Sequence, residues 1–220
     1  MSLGIQYDSI INDINSVKNR ILEAIEPTSV EYELLKGFSV WLSELTFRPS
    51  YLFIGFNLGT NFYRGTGIKY KIKDIDYSDV SKYYEYRWVY TKDTKAVFKK
   101  ANKFNDLNKS IKININFLVT SNRKDLFQLQ GILQEKYDIN IPIKAQEWIT
   151  QLIELIDPKC IICEGEYPAR KIAEYFDIEL AWQNDLCEYT IRSQTSVIGY
   201  KRIFSKIINK NGVVELLKKY

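Results

Sequence analysis

The sequence contains no histidine among its 220 residues, and this absence removes several classes of chemistry. Without imidazole, the chain alone cannot supply a Ser-His-Asp or Cys-His catalytic arrangement, a histidine general base or a histidine-bearing zinc site. Any chemistry must therefore use amides, carboxylates, hydroxyls or lysines.

Cysteine is also scarce. The three cysteines, Cys160, Cys163 and Cys187, are too few and too unevenly placed for a disulfide scaffold. The Cys160/Cys163 spacing looks like half a metal site, but it lies in an apolar run that predicts a buried strand. Residues three apart in a strand point to opposite faces, so the two sulfurs would diverge. We therefore expect these cysteines to be core residues, and we expect no metal and no cofactor.

Long apolar runs are missing as well. The longest, at 51–56, is far short of the roughly 18 residues that span a bilayer, and residues 1–26 lack the apolar centre of a signal peptide. These features predict a cytoplasmic protein with no membrane partner. With 45% hydrophobic and 26% charged residues, the chain has the composition of one globular α/β domain over 1–220.

The first 47 residues predict a pair of helices ahead of a core at 48–220. Apolar positions recur every three or four residues from 8 to 25, and Pro27 ends that pattern. Thr28 and Ser29 are capping residues for a second helix. The apolar face of that second helix consists of Leu34, Leu35, Phe38, Trp41, Leu42 and Leu45.

Strands and helices alternate through the rest of the chain. The strand candidates are 51–56, 111–119, 160–163, 187–193 and 196–200, and the helix candidates are 91–105, 127–136, 144–156, 169–176 and 213–219. This alternation predicts a three-layer α/β/α fold around a central, mostly parallel, four-stranded sheet. Such sheets bind ligands at the carboxyl ends of their strands.

Four segments follow the predicted strands and carry amides, carboxylates, cations and glycines: 55–61, 116–123, 164–166 and 199–202. If they converge, glycines allow the backbone to approach a substrate closely and asparagines present donor and acceptor atoms. A crevice of this kind suits a base and a sugar phosphate. Turn-forming glycines and capping asparagines explain the same placements without a ligand.

The run Tyr51-Leu-Phe-Ile-Gly-Phe-Asn-Leu-Gly59 resembles the first active-site motif of the uracil-DNA glycosylase superfamily. The mismatch-specific and single-strand-selective branches read Gly-x-Asn-Pro-Gly at that place. Gly55, Asn57 and Gly59 match this motif, whereas Leu58 replaces the proline.

A second segment, 148–169, is similar to that superfamily in the order of its parts: a helix, Pro158-Lys159, an apolar strand, Gly165 and a following alanine. The resemblance extends over roughly residues 48–205 by order and spacing. It implies a DNA glycosylase that hydrolyses the N-glycosidic bond of a flipped uracil or a related damaged base.

The resemblance also implies roles for individual residues. Asn57 would orient the attacking water, Asn116 would pair with the base edge, and Phe62 and Tyr63 would be stacking candidates. Glu164 or Glu166 could provide a general base instead, and the other interpretation of each is a solvated or capping carboxylate at a helix start. The DNA backbone would be held by Gly55, Gly59, Lys201, Arg202 and Ser205. The expected partner is single- or double-stranded DNA, bound by a monomer.

The sequence departs from the superfamily where that family has His-Pro-Ser after its last strand. The corresponding residues 199–205 contain no histidine, so Lys201 or Arg202 must supply the positive charge, or the substrate differs. Two alternatives stay open: a nucleic-acid-binding module on the same fold without turnover, and a small-molecule or nucleotide hydrolase.

Two basic segments bear on the partner. Residues 91–112 hold seven lysines against two aspartates, and residues 201–220 hold six basic residues against one glutamate. If the two segments share a face, binding to phosphates with a strong salt dependence follows. A solvated, lysine-rich surface is the other interpretation.

Overall fold

The computed structural model describes residues 3–39, 46–56 and 89–220. The helices are α1 (Leu3–Ala24), α2 (Val30–Leu34), α3 (Val89–Lys100), α4 (Arg123–Tyr137), α5 (Ile141–Ile156), α6 (Glu166–Tyr175) and α7 (Lys210–Lys218), with a 3-10 helix at Phe104–Lys109. The strands are β1 (Gly37–Phe38), β2 (Tyr51–Gly55), β3 (Ile111–Asn114), β4 (Leu118–Val119), β5 (Cys160–Glu164), β6 (Leu186–Ile191), β7 (Thr195–Tyr200), β8 (Arg202–Ile203) and β9 (Lys206–Ile207).

The described chain falls into two compact units. The first unit contains 3–39 and 114–155, and the second contains 46–56, 89–113 and 156–220. The predicted boundary at residue 48 stays a prediction, because residues 40–45 lie outside the described part of the chain.

A five-stranded sheet dominates the second unit, and its order is β3-β2-β5-β7-β6. Strands β2, β5 and β7 are parallel, and β6 pairs with β7 in the antiparallel direction. The mixed α/β class and the mostly parallel sheet are thereby confirmed. The predicted number of four strands is wrong, because β6 and β7 form a hairpin that adds an antiparallel strand at the edge.

Both faces of the central strands are covered, which explains why these strands read as nearly continuous hydrophobic runs. One face of β2, β5 and β7 packs on α3, the 3-10 helix and α7 through a cluster that includes Phe53, Phe98 and Ile162. The other face contacts α6. Here Ala169 lies against Gly199 of β7, since a Cβ built at Gly199 would come within 2.8 Å of the Ala169 Cβ.

The cysteines are core residues, as the strand pattern indicates. All three are buried and none forms a disulfide. Burial raises the pKa of both Cys160 and Cys187 to about 12, and raises that of Cys163 as well. Buried thiols of this kind are poor nucleophiles and act as small apolar side chains.

In the first unit, the second predicted helix is shorter than the sequence indicates. Ser29 caps α2 as expected, accepting a hydrogen bond from the Tyr32 N–H at 3.3 Å, but the helix ends at Leu34. Gly37 follows with a φ of 147°, a backbone conformation that side chains disfavour, and Phe38 enters β1 instead of a helix face. Strand β1 pairs with β4, where the Phe38 and Phe117 rings lie 5.1 Å apart. The predicted positions Trp41, Leu42 and Leu45 lie outside the described residues.

The predicted strand at 111–119 is two strands that belong to different sheets. Strand β3 is an edge of the five-stranded sheet, whereas β4 pairs with β1. The whole segment from 110 to 120 is buried, including polar Lys112, Asn114 and Asn116. The alternation of apolar and polar residues runs from Ile111 to Phe117, past the end of β3 at Asn114, so it does not signal where β3 ends.

An ion pair between a buried carboxylate and an exposed lysine joins α2 to α4 in the first unit. The Glu31 carboxylate accepts hydrogen bonds from the Lys136 ammonium at 2.7 Å and from the Tyr137 hydroxyl. The Lys136 hydrogen bond, followed by that of Tyr137, lowers the pKa of Glu31 from 4.5 to about 2. A carboxyl group with a lowered folded-state pKa contributes stability above its unfolded pKa, and loses it as the pH falls towards the folded value.

We expect Glu31→Gln to lower the free energy of unfolding by about 1 kcal/mol at neutral pH, a modest value because the Lys136 side chain is largely exposed. Urea titrations should show that the gap between wild type and variant closes as the pH falls from about 5 to about 2. Glu135→Gln is the control. It changes an exposed glutamate of α4, next to Lys136, and should leave the free energy of unfolding unchanged. A gap that stays constant over this pH range would contradict the assignment.

Candidate functional site

The order of the five strands locates a direction reversal in the sheet. Strand β2 lies between β3 and β5, so the chain goes from β2 to one side of it for β3 and later crosses to the other side for β5. In open α/β sheets this arrangement opens a crevice at the carboxyl ends of the two central strands, where ligands bind. Gly55 ends β2 and Glu164 ends β5, so these residues mark the candidate site.

The chain turns sharply after β5. Gly165 has a φ of 126° and is the N-cap of α6, which begins at Glu166. Close to this turn, the Phe56 and Tyr167 rings meet edge to face with their centroids 4.9 Å apart. Both aromatic residues are half-buried, so the candidate site has an aromatic pair at the end of β2 and the start of α6.

A buried ion network surrounds the Glu164 carboxylate. Its Oε1 accepts a hydrogen bond from the Arg202 Nη2 at 2.8 Å, and its Oε2 accepts one from the Lys112 ammonium. The exposed side-chain fractions of Glu164, Lys112 and Arg202 are 8%, 9% and 7%, so the whole group is removed from water. Burial lowers the pKa of Lys112, and the nearby Glu164 charge opposes that shift.

Two hydroxyl groups complete the network. Thr94 Oγ1 and Tyr200 Oη donate to Glu164 Oε1 at 3.4 and 3.3 Å. Arg202 Nη2 donates to both hydroxyls, at 2.8 Å for Thr94 and 3.2 Å for Tyr200. Burial raises the pKa of Tyr200, so this phenol stays protonated as a donor. Through these bonds the network links α3 and β8 to strands β3, β5 and β7 of the sheet.

Several predicted site residues lie in this second unit. Gly55 is the last residue of β2, and Lys201, Arg202 and Ser205 lie in or beside the β8–β9 hairpin. Lys201 is partly exposed, lies over the Trp182 ring and pairs with Asp185 at 3.5 Å. Arg202 points inward, so a direct contact of its guanidinium with a DNA backbone would have to replace bonds inside the protein.

The remaining predicted residues are placed differently. Asn116 belongs to the first unit, is buried, and accepts a hydrogen bond on Oδ1 from Gln130 Nε2 at 3.3 Å. Asn57, Gly59, Phe62 and Tyr63 lie outside the described residues. A common cleft for Asn57, Asn116 and Arg202 therefore stays a prediction.

The two candidate carboxylates differ in environment. Glu164 is buried and ion-paired, so it is neither solvated nor a helix cap. Glu166 is partly exposed and pairs with Arg170 one turn along α6, at 2.5 Å. A general base needs access to water, and of the two only Glu166 has it in this conformation.

Sequence reasoning missed the roles of Thr94, Lys112 and Tyr200. Lys112 belongs to the basic segment 91–112 of the sequence, yet it is buried and ion-paired. Its position between Ile111 and Ile113 in an alternating strand pointed to a second face, but an ordinary solvent-facing lysine has the same pattern. In the described part of the chain, no cluster of three or more acidic or cysteine side chains could hold a metal ion. No helix there is both long enough and apolar enough to cross a bilayer.

The two basic segments do adjoin. Helix α3 packs against α7 and β9, and Lys100 donates to the Asn211 Oδ1 at 2.9 Å. Lys210 pairs with Asp93 at 2.7 Å. Exposed lysines on these elements thus belong to one region of the second unit, with buried Lys112 as the exception.

Comparison with known proteins leaves the family open. The chain matches no protein-family model, and it matches no curated protein. Function is therefore inferred from the geometry of the second unit and from the motifs in the sequence.

Proposed function

We propose that this chain is a DNA glycosylase of the uracil-DNA glycosylase type, which hydrolyses the N-glycosidic bond of a flipped uracil or a related damaged base. The observation that carries the proposal is the strand order β3-β2-β5-β7, with the direction reversal at the end of β2. The Gly55-Phe-Asn57-Leu-Gly59 motif begins at that strand end. A crevice at such a reversal is the usual binding place in open α/β sheets.

The chemistry needs electrostatic stabilisation more than a strong nucleophile. The oxygen of a water bonds to C1′ of the sugar, the C1′–N bond breaks, and its electron pair leaves with the base, which takes up the proton that the water releases. The transition state has a cationic sugar and an anionic base. In this proposal Asn57 orients the water and Lys201 lies against the backbone.

Arg202 has a positioning role in this proposal. Its guanidinium is bonded to Glu164, Thr94 and Tyr200, and its Nη1 donates to the Ser205 carbonyl at 2.8 Å. It therefore fixes the segment that follows β7, while the exposed lysines of α3, β9 and α7 attract the DNA phosphates. Such attraction weakens steeply as the salt concentration rises.

The test is release of uracil, hypoxanthine or mismatched thymine from labelled DNA, detected as alkali-sensitive abasic sites. We expect product from at least one of these substrates, and we expect Asn57→Ala to reduce its rate by about 100-fold, as for loss of one polar group that acts in the transition state. Asn19→Ala, at an exposed position of α1, is the matched control and should retain the wild-type rate. If the amount of abasic product equals that of a protein-free blank for every substrate, the enzyme proposal is wrong.

One observation favours the second candidate, a nucleic-acid-binding protein without turnover. Arg202, one of the two cations in the segment that stands in place of His-Pro-Ser, is already bonded to an internal carboxylate, Glu164. Salt-sensitive binding to DNA with no abasic product would favour this candidate over the glycosylase. Both functions use the same basic region, so binding alone does not separate them.

A further inference from the structure

The β8–β9 hairpin exposes a small apolar tip directly after β7. Phe204 is 88% exposed and Ile203 is 60% exposed, and Ile208 beyond β9 is also exposed. A phenylalanine this exposed buries almost none of its apolar surface, so the folded chain gains little from it. Contiguous exposed apolar groups of this kind mark binding sites more often than they stabilise a fold.

The hairpin that carries this tip is firmly anchored. The Ile208 N–H donates to the Lys201 carbonyl at 3.2 Å and closes the base of the hairpin. The Ile207 N–H donates to the Asp93 carboxylate at 3.0 Å, which attaches β9 to α3. Arg202 ties the Ser205 carbonyl to the buried Glu164 network.

Phe204 occupies a backbone conformation that glycine or asparagine usually takes. Its φ is 51°, and it is the first residue of the two-residue turn between the Ile203–Lys206 pair. A bulky aromatic side chain is uncommon in the left-handed region. The anchored hairpin therefore presents an aromatic side chain to solvent in spite of two unfavourable features, its exposure and its φ.

The surroundings of the ring are cationic. Lys206 lies within the hairpin, is exposed, and forms no ion pair with any described residue. Asp93, which accepts from the Ile207 N–H of β9, also pairs with Lys210. Burial raises the pKa of Asp93, but these bonds outweigh it and keep the pKa below its usual value. The tip thus combines an aromatic face with positive charge.

We propose that Phe204 is a stacking platform for an unpaired base of single-stranded DNA, whose phosphates contact Lys206 and Lys201. A single strand offers both complementary features, a polyanionic backbone and exposed base faces, whereas the bases of a duplex are stacked on one another. The apolar area of one ring and two isoleucines is small for stable anchoring in a bilayer, which takes additional signals. This inference rests on the proposed function, in which the substrate is DNA, and adds that the DNA is single-stranded.

Fluorescence anisotropy of a labelled oligo-dT single strand, with the full chain, tests this proposal. Phe204→Ala should weaken binding by about tenfold, in the range found for loss of one stacked base, and Phe204→Trp should retain it. Phe47→Ala removes another exposed phenylalanine, one that precedes β2, and should have no effect. Lys206→Ala should make binding less dependent on salt, while Lys124→Ala on α4 should not.

The same assay with duplex DNA and with phosphatidylserine vesicles distinguishes the other outcomes. Equal affinity for single strand and duplex, or wild-type affinity of Phe204→Ala for oligo-dT, would overturn the proposal. Phe204-dependent binding to vesicles without binding to oligo-dT would overturn it in favour of a membrane surface. Because oligo-dT contains no target base, this binding is measured independently of base excision, and failure of the glycosylase assay leaves the result intact.

Discussion

Replacement of Glu164 by glutamine is expected to lower the free energy of unfolding by about 3 kcal/mol, the loss typical when one partner of a buried ion pair is removed. The amide keeps the shape of the side chain but has no charge to offset Lys112 and Arg202. Both cations are more than nine-tenths buried, so water screens the loss only weakly. Urea unfolding followed by tryptophan fluorescence measures the change.

A double variant separates the charge effect from a loss of packing. In Glu164→Gln/Lys112→Met one of the two cations is also removed, so we expect the double variant to be more stable than Glu164→Gln alone. Glu166→Gln is the matched control, since its exposed pair with Arg170 contributes at most about 0.5 kcal/mol. If Glu164→Gln and Glu166→Gln had equal effects, the network would not have the importance assigned to it.

The Glu164 network also holds the turn of the β8–β9 hairpin in place. Arg202 connects the buried carboxylate to the Ser205 carbonyl, so loss of the charge at 164 loosens the turn that carries Phe204. A stability defect and a DNA-binding defect should therefore appear together in Glu164→Gln. Phe204→Ala, in contrast, removes an exposed side chain, and it should weaken binding without lowering stability.

Regular elements were the most predictable part of this chain. The helix at 8–25, the strand at 51–56 and the helices at 127–136 and 144–156 each have a periodic apolar pattern or a continuous apolar run, and the structure contains all four. These signals are local: they depend on which face of one element is buried, and the sequence records that directly.

The errors arose where a tertiary partner decides the outcome. Phe38 has helical spacing from Leu34 and Leu35, yet it pairs with β4 because Gly37 ends the helical path. Residues 111–119 have an uninterrupted strand-like pattern, alternating to Phe117 and then apolar, but β3 and β4 have different neighbours. A local pattern does not specify the partner of a strand.

The candidate site was predictable in position but not in its contacts. Residues such as Glu164 and Lys201 were selected because they follow strands, and parallel strands place their carboxyl ends at one edge. The pairing of Glu164 with Lys112 joins residues 52 positions apart, and the bond from Arg202 to Thr94 spans 108. Nothing in a single sequence connects residues so far apart.

Gly199 shows the same limit. The sequence placed it in a glycine-lined crevice where the backbone approaches a substrate. In the structure the close neighbours of Gly199 are protein atoms, Cys187 Sγ in β6 and Ala169 Cβ in α6. The lack of a side chain at 199 thus allows helix and sheet to approach each other, which is a structural function.

Gly199→Ala is accordingly expected to destabilise the protein by about 3 kcal/mol, at the upper end of the range for added methyl groups in packed cores. The new Cβ would overlap Cys187 Sγ and would lie 2.8 Å from Ala169 Cβ. The Ala169 Cβ cannot move away by rotation, so α6 itself would have to shift from the sheet. Urea unfolding gives the change in free energy.

Two further variants make the steric cause testable. Cys187→Ala removes the overlapping sulfur, so Gly199→Ala should be less harmful in the Cys187→Ala background than in wild type, although the contact with Ala169 prevents full recovery. Gly131→Ala in α4 meets no atom within 4 Å and should stabilise the helix by about 0.5–1 kcal/mol. Equal destabilisation in both backgrounds would show that the thiol is not the obstacle, and the closeness of α6 alone would then have to account for the loss.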